Sequence, residues 1–345
     1  RYPHHTQIFN EKNSHELPLT QKTISEQMKT LGYLCCAPLA TGDSIYSGAL
    51  RGYDQLTVNA GKAPACVGVE RTIRQLEAFW ECDLCLFLHT TDVHPWNGVD
   101  YKFATEVETH LPLDDRLFPL EKNGLSVRLP DFPIYRQQFW AELRHVDRSI
   151  GQLLSYVAAH YAEDDYIVNL YSDHGTSIFS PPPPGGRIDV VSECSTAAAW
   201  MMRGAGVPER AVVDDLTSAV DIYPTLCALL GFPVDAPVDG ILPRIFGGSG
   251  REIAFSNSIF PRKEYFLAAR GRDYTLCLET PNVASVSGTI DLQYAKAEIY
   301  PRAHEKEAGY EIDDPALRAF FYPRVREFLK GIADNGEVFP LPKEA

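Results

Sequence analysis

The sequence has no run of roughly 18 apolar residues, the length a membrane-spanning helix needs, so a transmembrane anchor within these residues is not expected. It has no internal repeat and no cluster of lysines or arginines. Its 32 basic side chains face 46 acidic ones, a formal net charge of −14. Such a surface repels nucleic acid and anionic membrane, so neither is expected as a partner. The eight cysteines, Cys35, Cys36, Cys66, Cys82, Cys85, Cys194, Cys227 and Cys277, follow no regular spacing. The adjacent pair Cys35–Cys36 argues against a disulfide framework, so all eight are expected to be ordinary buried or free thiols. This points to a reducing compartment such as the cytoplasm, with the periplasm and secretion left open. Methionine is absent from the first position, which is Arg1, so the place where a signal peptide would be read is missing. The chain is expected to begin inside something longer.

What is present fits a soluble enzyme. The 345 residues, 45% apolar and 23% charged, suffice for one large core, or a large domain with a smaller one attached. Residues 23–31 open with a capping box, Thr23 to Glu26, and Gly32 follows as a stop. The run YLCCAPLA reads as a strand, residues 70–80 as a helix, and CDLCLFLHT as a buried strand. Strand alternation puts Cys82 and Cys85 on opposite faces, so they are poor co-ligands despite C-x-x-C spacing. Residues 136–160 predict a long amphipathic helix on Phe139, Leu143, Val146, Ile150, Leu153 and Val157. Further strands are expected in DYIVNLY and STAAAWMMR, and a helix over 218–230 stopped by Gly231. Strands alternating with helices imply an α/β fold with a mostly parallel sheet covered on both faces. After about residue 248 the pattern changes to neighbouring antiparallel strands, in REIAFSNSIF, EYFLAARGRDYTLCLET and GTIDLQYAKAEIY. A last helix begins at the cap Asp314 with Pro315 in its first turn. A boundary in the GGSG stretch, 247–250, would divide a catalytic domain, 1–248, from a C-terminal α+β subdomain, 249–345.

In open parallel sheets ligands bind beyond the carboxyl ends of the strands. Two strands here end in chemically capable groups: HTTDVHPWN offers His89, Asp92 and His94, and SDHG offers Asp173 and His174. A neighbouring carboxylate and imidazole can reach one cation if the backbone turns, as Gly175 permits. Such donors suit zinc or manganese, whereas calcium prefers oxygen ligands but sometimes accepts this pairing. A bound metal would also bring an anionic substrate to an acidic protein. Each group has a plainer alternative: a capping Asp with a solvated His, a loop histidine, or a satisfied core histidine at 89.

Several segments, in order, resemble landmarks of the sulfatase family: RYPHH, LTQKTISEQMKTLGYLCC, RGYDQL, FLHTTDVHPW, HVDRSIGQLL, IVNLYSDHG and DLTSAVDIYPTLCALLGFPVDAPVDG. The resemblance spans most of the chain. It implies an alkaline phosphatase-like α/β/α sandwich and metal-assisted hydrolysis of a sulfate ester by a formylglycine-type nucleophile. It assigns Asp173 and His174 to the second half of a site for one divalent cation, Ca2+ first, with Mn2+ or Zn2+ as alternatives. It assigns His94 to the substrate anion and gives the Asp221–Pro224–Thr225 stretch a structural role. The nucleophile motif and two further metal-binding aspartates would lie upstream of Arg1, so these residues alone are expected to be inactive. Many members carry G-K-W-H after the early strand, where this sequence reads APLATGDS. Residues 175–203 also lack the expected lysine and offer only Arg187 and Arg203, of which Arg187 is the better substitute. A phosphomonoesterase or phosphodiesterase on the same fold, and a non-catalytic degenerate member, remain as alternatives.

Overall fold

A computed structural model describes residues 2, 17, 19–40, 51–58, 63–93, 133–176, 191–234, 237–258, 265–280 and 295–330, the side chains of 133–138 excepted. The chain forms two compact units. One comprises Pro18–Tyr166 with Ser177–Pro181; the other comprises Arg1–Leu17, Ile167–Thr176 and Pro182–Ala345.

The first unit carries a three-stranded parallel sheet in the order β2-β1-β3, with β1 Leu34–Leu39, β2 Gln55–Val58 and β3 Leu84–Leu86. Central β1 is buried from Cys35 onward, as an inner strand of a covered parallel sheet must be. Helix α1, Ile24–Thr30, starts at the expected capping box: the Thr23 hydroxyl accepts from the Glu26 amide at 3.1 Å, and the Glu26 carboxylate accepts from the Thr23 amide at 2.9 Å. Helix α2, Ala65–Ala78, packs against α3, Pro133–His160. The buried stripe of α3 contains Ala141, Glu142, His145, Val146, Ser149 and Val157, while Leu143 is exposed. The apolar periodicity found the helix and the buried Val146 and Val157, but the rest of the buried stripe is built of small and polar side chains.

In the second unit, β4 Ile167–Tyr171 pairs with β5 Trp200–Gly204 antiparallel, where alternation with helices predicted parallel neighbours. The expected strand over 195–203 is part helix, since α4, Glu193–Thr196, precedes β5. The Trp200 indole N–H donates to Asn169 Oδ1 at 2.7 Å across this pair. Helix α5, Ile222–Leu230, ends at Gly231 in the left-handed region, φ 72°, as its position predicts.

The C-terminal region is the expected antiparallel meander, β6 Ala254–Ser258, β7 Tyr265–Arg270, β8 Tyr274–Thr280 and β9 Lys296–Pro301. Helix α6, Pro315–Leu329, lies on it, capped by Asp314 Oδ1, which accepts from the Ala316 and Leu317 amides. Its apolar face, Phe321, Val325, Phe328 and Leu329, joins Tyr265, Leu267, Leu276, Leu278 and Ile299 in one core. Each fully buried large side chain there contributes about 1.5–3 kcal/mol.

Tyr2 belongs to this unit. Its amide donates to Asp239 Oδ2 at 2.7 Å, and its ring meets Phe328 edge-on at 5.0 Å. The Arg251 guanidinium donates to Tyr2 Oη, to the Asp239 carbonyl and to both oxygens of buried Asp221. Asp221 also accepts from the amides of Ser218, at 2.8 Å, and Ile241, at 2.7 Å. Every acceptor of Asp221 is thereby engaged, in keeping with the structural role its position implies. Replacing Arg251 by Ala leaves that buried carboxylate without its counter-charge and is expected to cost about 3–5 kcal/mol in urea denaturation.

None of the eight cysteines, all of them among the described residues, is in a disulfide. Burial raises the Cys35 and Cys36 thiols and pushes Cys85 up to about 12, because the interior disfavours a thiolate. Cys66 and Cys82 are exposed. Maleimide labelling of the native chain at about pH 8, read by peptide mapping, should modify Cys66 and Cys82 rapidly and spare Cys85, whose proton is still bound there.

Candidate functional site

The two strand ends singled out in the sequence belong to different units. In the first, β3 runs on past its last assigned residue. The His89 amide donates to the Pro38 carbonyl at 3.2 Å, and the Ala40 amide donates to the His89 carbonyl at 3.1 Å. Three residues on, Asp92 is buried. Its Oδ1 accepts from the Ala65 amide at 2.9 Å and lies 3.7 Å from His145 Nε2 on α3. The α2 cap position, Pro64, has no side-chain acceptor, so Asp92 supplies the negative charge that the first turn needs. Asp92 is thus committed to the helix terminus, although its other oxygen has no hydrogen-bond partner among the described residues. The sequence does not single out His145; the HVDRSIGQLL segment that holds it stands out for its neighbours' helical spacing and as a sulfatase-like landmark. His94 and Arg187 lie outside the described residues, as does the proline-rich loop 180–187.

In the second unit, β4 delivers Asp173 and His174 to the surface immediately beyond its last residue, Tyr171. The His174 amide donates to Asp173 Oδ1 at 3.0 Å. The His174 ring Nδ1 lies 2.7 Å from the Gly175 carbonyl, and its Nε2 lies 3.7 Å from Asp173 Oδ2. A carbonyl can only accept, so Nδ1 carries the proton in the neutral ring and Nε2 presents its lone pair on the Asp173 side. Both side chains are more than half exposed.

Ties on either side hold this turn. The Ser172 amide donates to the Ala199 carbonyl at 3.0 Å, and the Ala199 amide donates back to Ser172 Oγ at 2.8 Å. The Gly175 amide donates to the Ser195 carbonyl at 2.9 Å. A Cβ at position 175 would collide with the Cys194 carbonyl oxygen and lie 2.9 Å from that of Ala197. Glycine is required there for close approach to α4, where the sequence suggested only freedom to turn.

Two donors bound to one ion at about 2.0–2.2 Å each can be no more than about 4.4 Å apart. The 3.7 Å between Oδ2 and Nε2 satisfies that limit, so the pair fits two positions of a cation's shell. No third His, Cys, Asp or Glu joins them among the described residues. The arrangement can supply two ligands, one anionic and one neutral, with room on the solvent side for others.

Residues 72–232 match the family model described as sulfatase. No curated protein matches the sequence. Among solved structures, the chain is similar to a protein in complex with its substrate D-glucosamine-2-N,6-O-disulfate, at 16% identity and a TM-score of 0.62, covering 97% of this chain and 86% of that one. It is also similar to a sulfatase from the metabolism of glycosaminoglycans by Bacteroides thetaiotaomicron, at 17% identity and a TM-score of 0.66, covering 96% and 82%. An alkaline phosphatase superfamily protein from Vibrio parahaemolyticus matches at 12% identity and a TM-score of 0.55, covering 91% and 70%. The fold is the alkaline phosphatase-like α/β fold that the order of landmarks implied.

Gly175→Ala is expected to push the turn away from α4 and to lower stability by about 1–3 kcal/mol. Loss of protection at the Gly175-flanking amides in hydrogen exchange, at unchanged protection in β8, is the measurement that checks it.

Proposed function

We propose that this chain, whose residues 72–232 match the sulfatase family model, is a sulfatase that hydrolyses sulfate esters with the help of one divalent cation held by Asp173 and His174. The observation that carries the reading is the paired presentation of Asp173 Oδ2 and His174 Nε2, with Nδ1 anchored on the Gly175 carbonyl. An imidazole whose other nitrogen is tied to a carbonyl is oriented in advance as a ligand. When bound, the cation supplies positive charge for the transferring sulfate group and for the attacking oxygen.

Asp173 contributes the negative charge that retains a divalent ion, and His174 the directional donor. The family favours Ca2+, whereas the imidazole donor favours Mn2+ or Zn2+. His94 is assigned the hydrogen bond to the sulfate oxygens, where it stabilises or protonates them. Arg187 is assigned the second positive charge toward the anion, in the place of the absent lysine. The attacking oxygen is assigned to a formylglycine-type nucleophile, which would pass through a covalent sulfo-enzyme. The substrate is a small sulfated molecule; the sulfated sugar bound by one structural relative is the first compound to test. The free cysteines favour a reducing compartment, the cytoplasm.

Asp173→Ala and His174→Ala should each weaken Mn2+ or Ca2+ binding, by calorimetric titration, at least about tenfold. Unchanged affinity in both variants would overturn the metal assignment. In the active protein, Asp173→Ala should reduce sulfate release from a sulfated monosaccharide by at least about a hundredfold. Faster turnover of a matched phosphate monoester than of the sulfate would move the reading to phosphoester hydrolysis, the chemistry that the imidazole donor also suits.

A further inference from the structure

The turn carrying Asp173 and His174 leans on α4, a helix of only four residues, too short to be stable by itself. What fixes α4 lies about 75 residues further along the chain, in a buried charge cluster that the proposed chemistry does not use. Arg270, the last residue of β7, is buried and spends all three guanidinium nitrogens. Its Nη2 donates to the Val191 carbonyl just before α4, and its Nη1 donates to Thr196 Oγ1 at the end of α4, at 2.9 Å. Its Nε and Nη2 meet the two oxygens of buried Glu305 at 2.8 and 2.6 Å. Glu305 Oε1 also accepts from the Glu193 amide, the first of α4, at 3.1 Å. The Glu193 carboxylate is bound in turn by Arg302, with Nε at 2.8 Å from Oε1.

We infer that Arg270, seated on Glu305, is a positioning residue for the Asp173–His174 turn, acting through α4. One planar fork grips both ends of the helix. The carbonyls of Ser195, Cys194 and Ala197 then fix where Gly175 lies, and Ala199 fixes Ser172. The two proposed ligands sit between Ser172 and Gly175, so displacing α4 displaces both. The functional meaning of this clamp rests on the proposed metal role of Asp173 and His174. The clamp itself does not, and can be read in the metal-free chain.

A lysine keeps the charge at 270 but offers a single nitrogen, which cannot reach Val191, Thr196 and Glu305 together. Thr196→Val keeps the side-chain shape and removes the hydroxyl that accepts from Arg270 and itself donates to the Ser192 carbonyl at 3.2 Å, whereas Arg270→Lys leaves that second bond in place. In the metal-free chain, both Arg270→Lys and Thr196→Val should raise hydrogen exchange at the Gly175 and Ser172 amides at least about tenfold, with the Leu278 amide of β8 unchanged. Mn2+ affinity should fall about 10–100-fold in the same variants. Exchange rising equally at Leu278, or staying native at Gly175 in Thr196→Val, would overturn the positioning role, the first result because it reports general destabilisation only. If instead Gly175 exchange rises while neither these variants nor Asp173→Ala alters Mn2+ affinity, the clamp stands and the metal assignment fails.

Discussion

The presentation of Asp173 and His174 depends on one close approach, the contact of the backbone at Gly175 with the carbonyl oxygens of α4. An exposed turn after a strand would ordinarily sample many conformations, and two ligands on it would pay an ordering cost at each binding event. Here the flanking residues, Ser172 and Gly175, each bond into 195–199, so the turn has little freedom to lose. The missing side chain at 175 lets the backbone come near enough for that bond. His174 completes the arrangement by bonding the Gly175 carbonyl through Nδ1, which sets the face it turns to Asp173.

The same device recurs where charge is buried. Asp221 with Arg251, and Glu305 with Arg270, are bidentate pairs in which the carboxylate also accepts from backbone amides and the guanidinium also donates to a backbone carbonyl and a side-chain hydroxyl. A buried ion pair contributes little when compared with apolar packing, but its geometry is strict. In this chain both pairs tie segments distant in sequence, 221 to 251 and 191–196 to 270 and 305, into single arrangements. Apolar contacts would hold those segments together without specifying their register.

Much of the fold is legible in the sequence where local rules act alone. Thr23 and Glu26 announce α1, Asp314 and Pro315 announce α6, and Gly231 ends α5, because capping and left-handed backbone are decided within a few residues. The apolar runs of β7 and β8 declare a buried meander. Two readings failed for one reason. Leu143 is exposed while His145 and Ser149 are buried, and β5 returns antiparallel after a four-residue helix. In both cases the partner surface decided, and a partner is not encoded in the periodicity of the element itself.

For the site, the sequence by itself determined which residues could act: Asp173 and His174 at the end of an apolar strand, followed by a glycine, within an ordered series of sulfatase-like segments. It likewise placed Asp221 among structural residues. Only the tertiary structure decided that Asp92 serves a helix terminus, that Gly175 is needed for close approach, and that Arg270 and Glu305 hold the helix against which the turn rests. The physical reason is range. Ligand chemistry belongs to the side chains and can be read in place. Orientation comes from hydrogen bonds between residues 20 to more than 100 positions apart, and no local pattern records which of many buried carboxylates and guanidinium groups will meet.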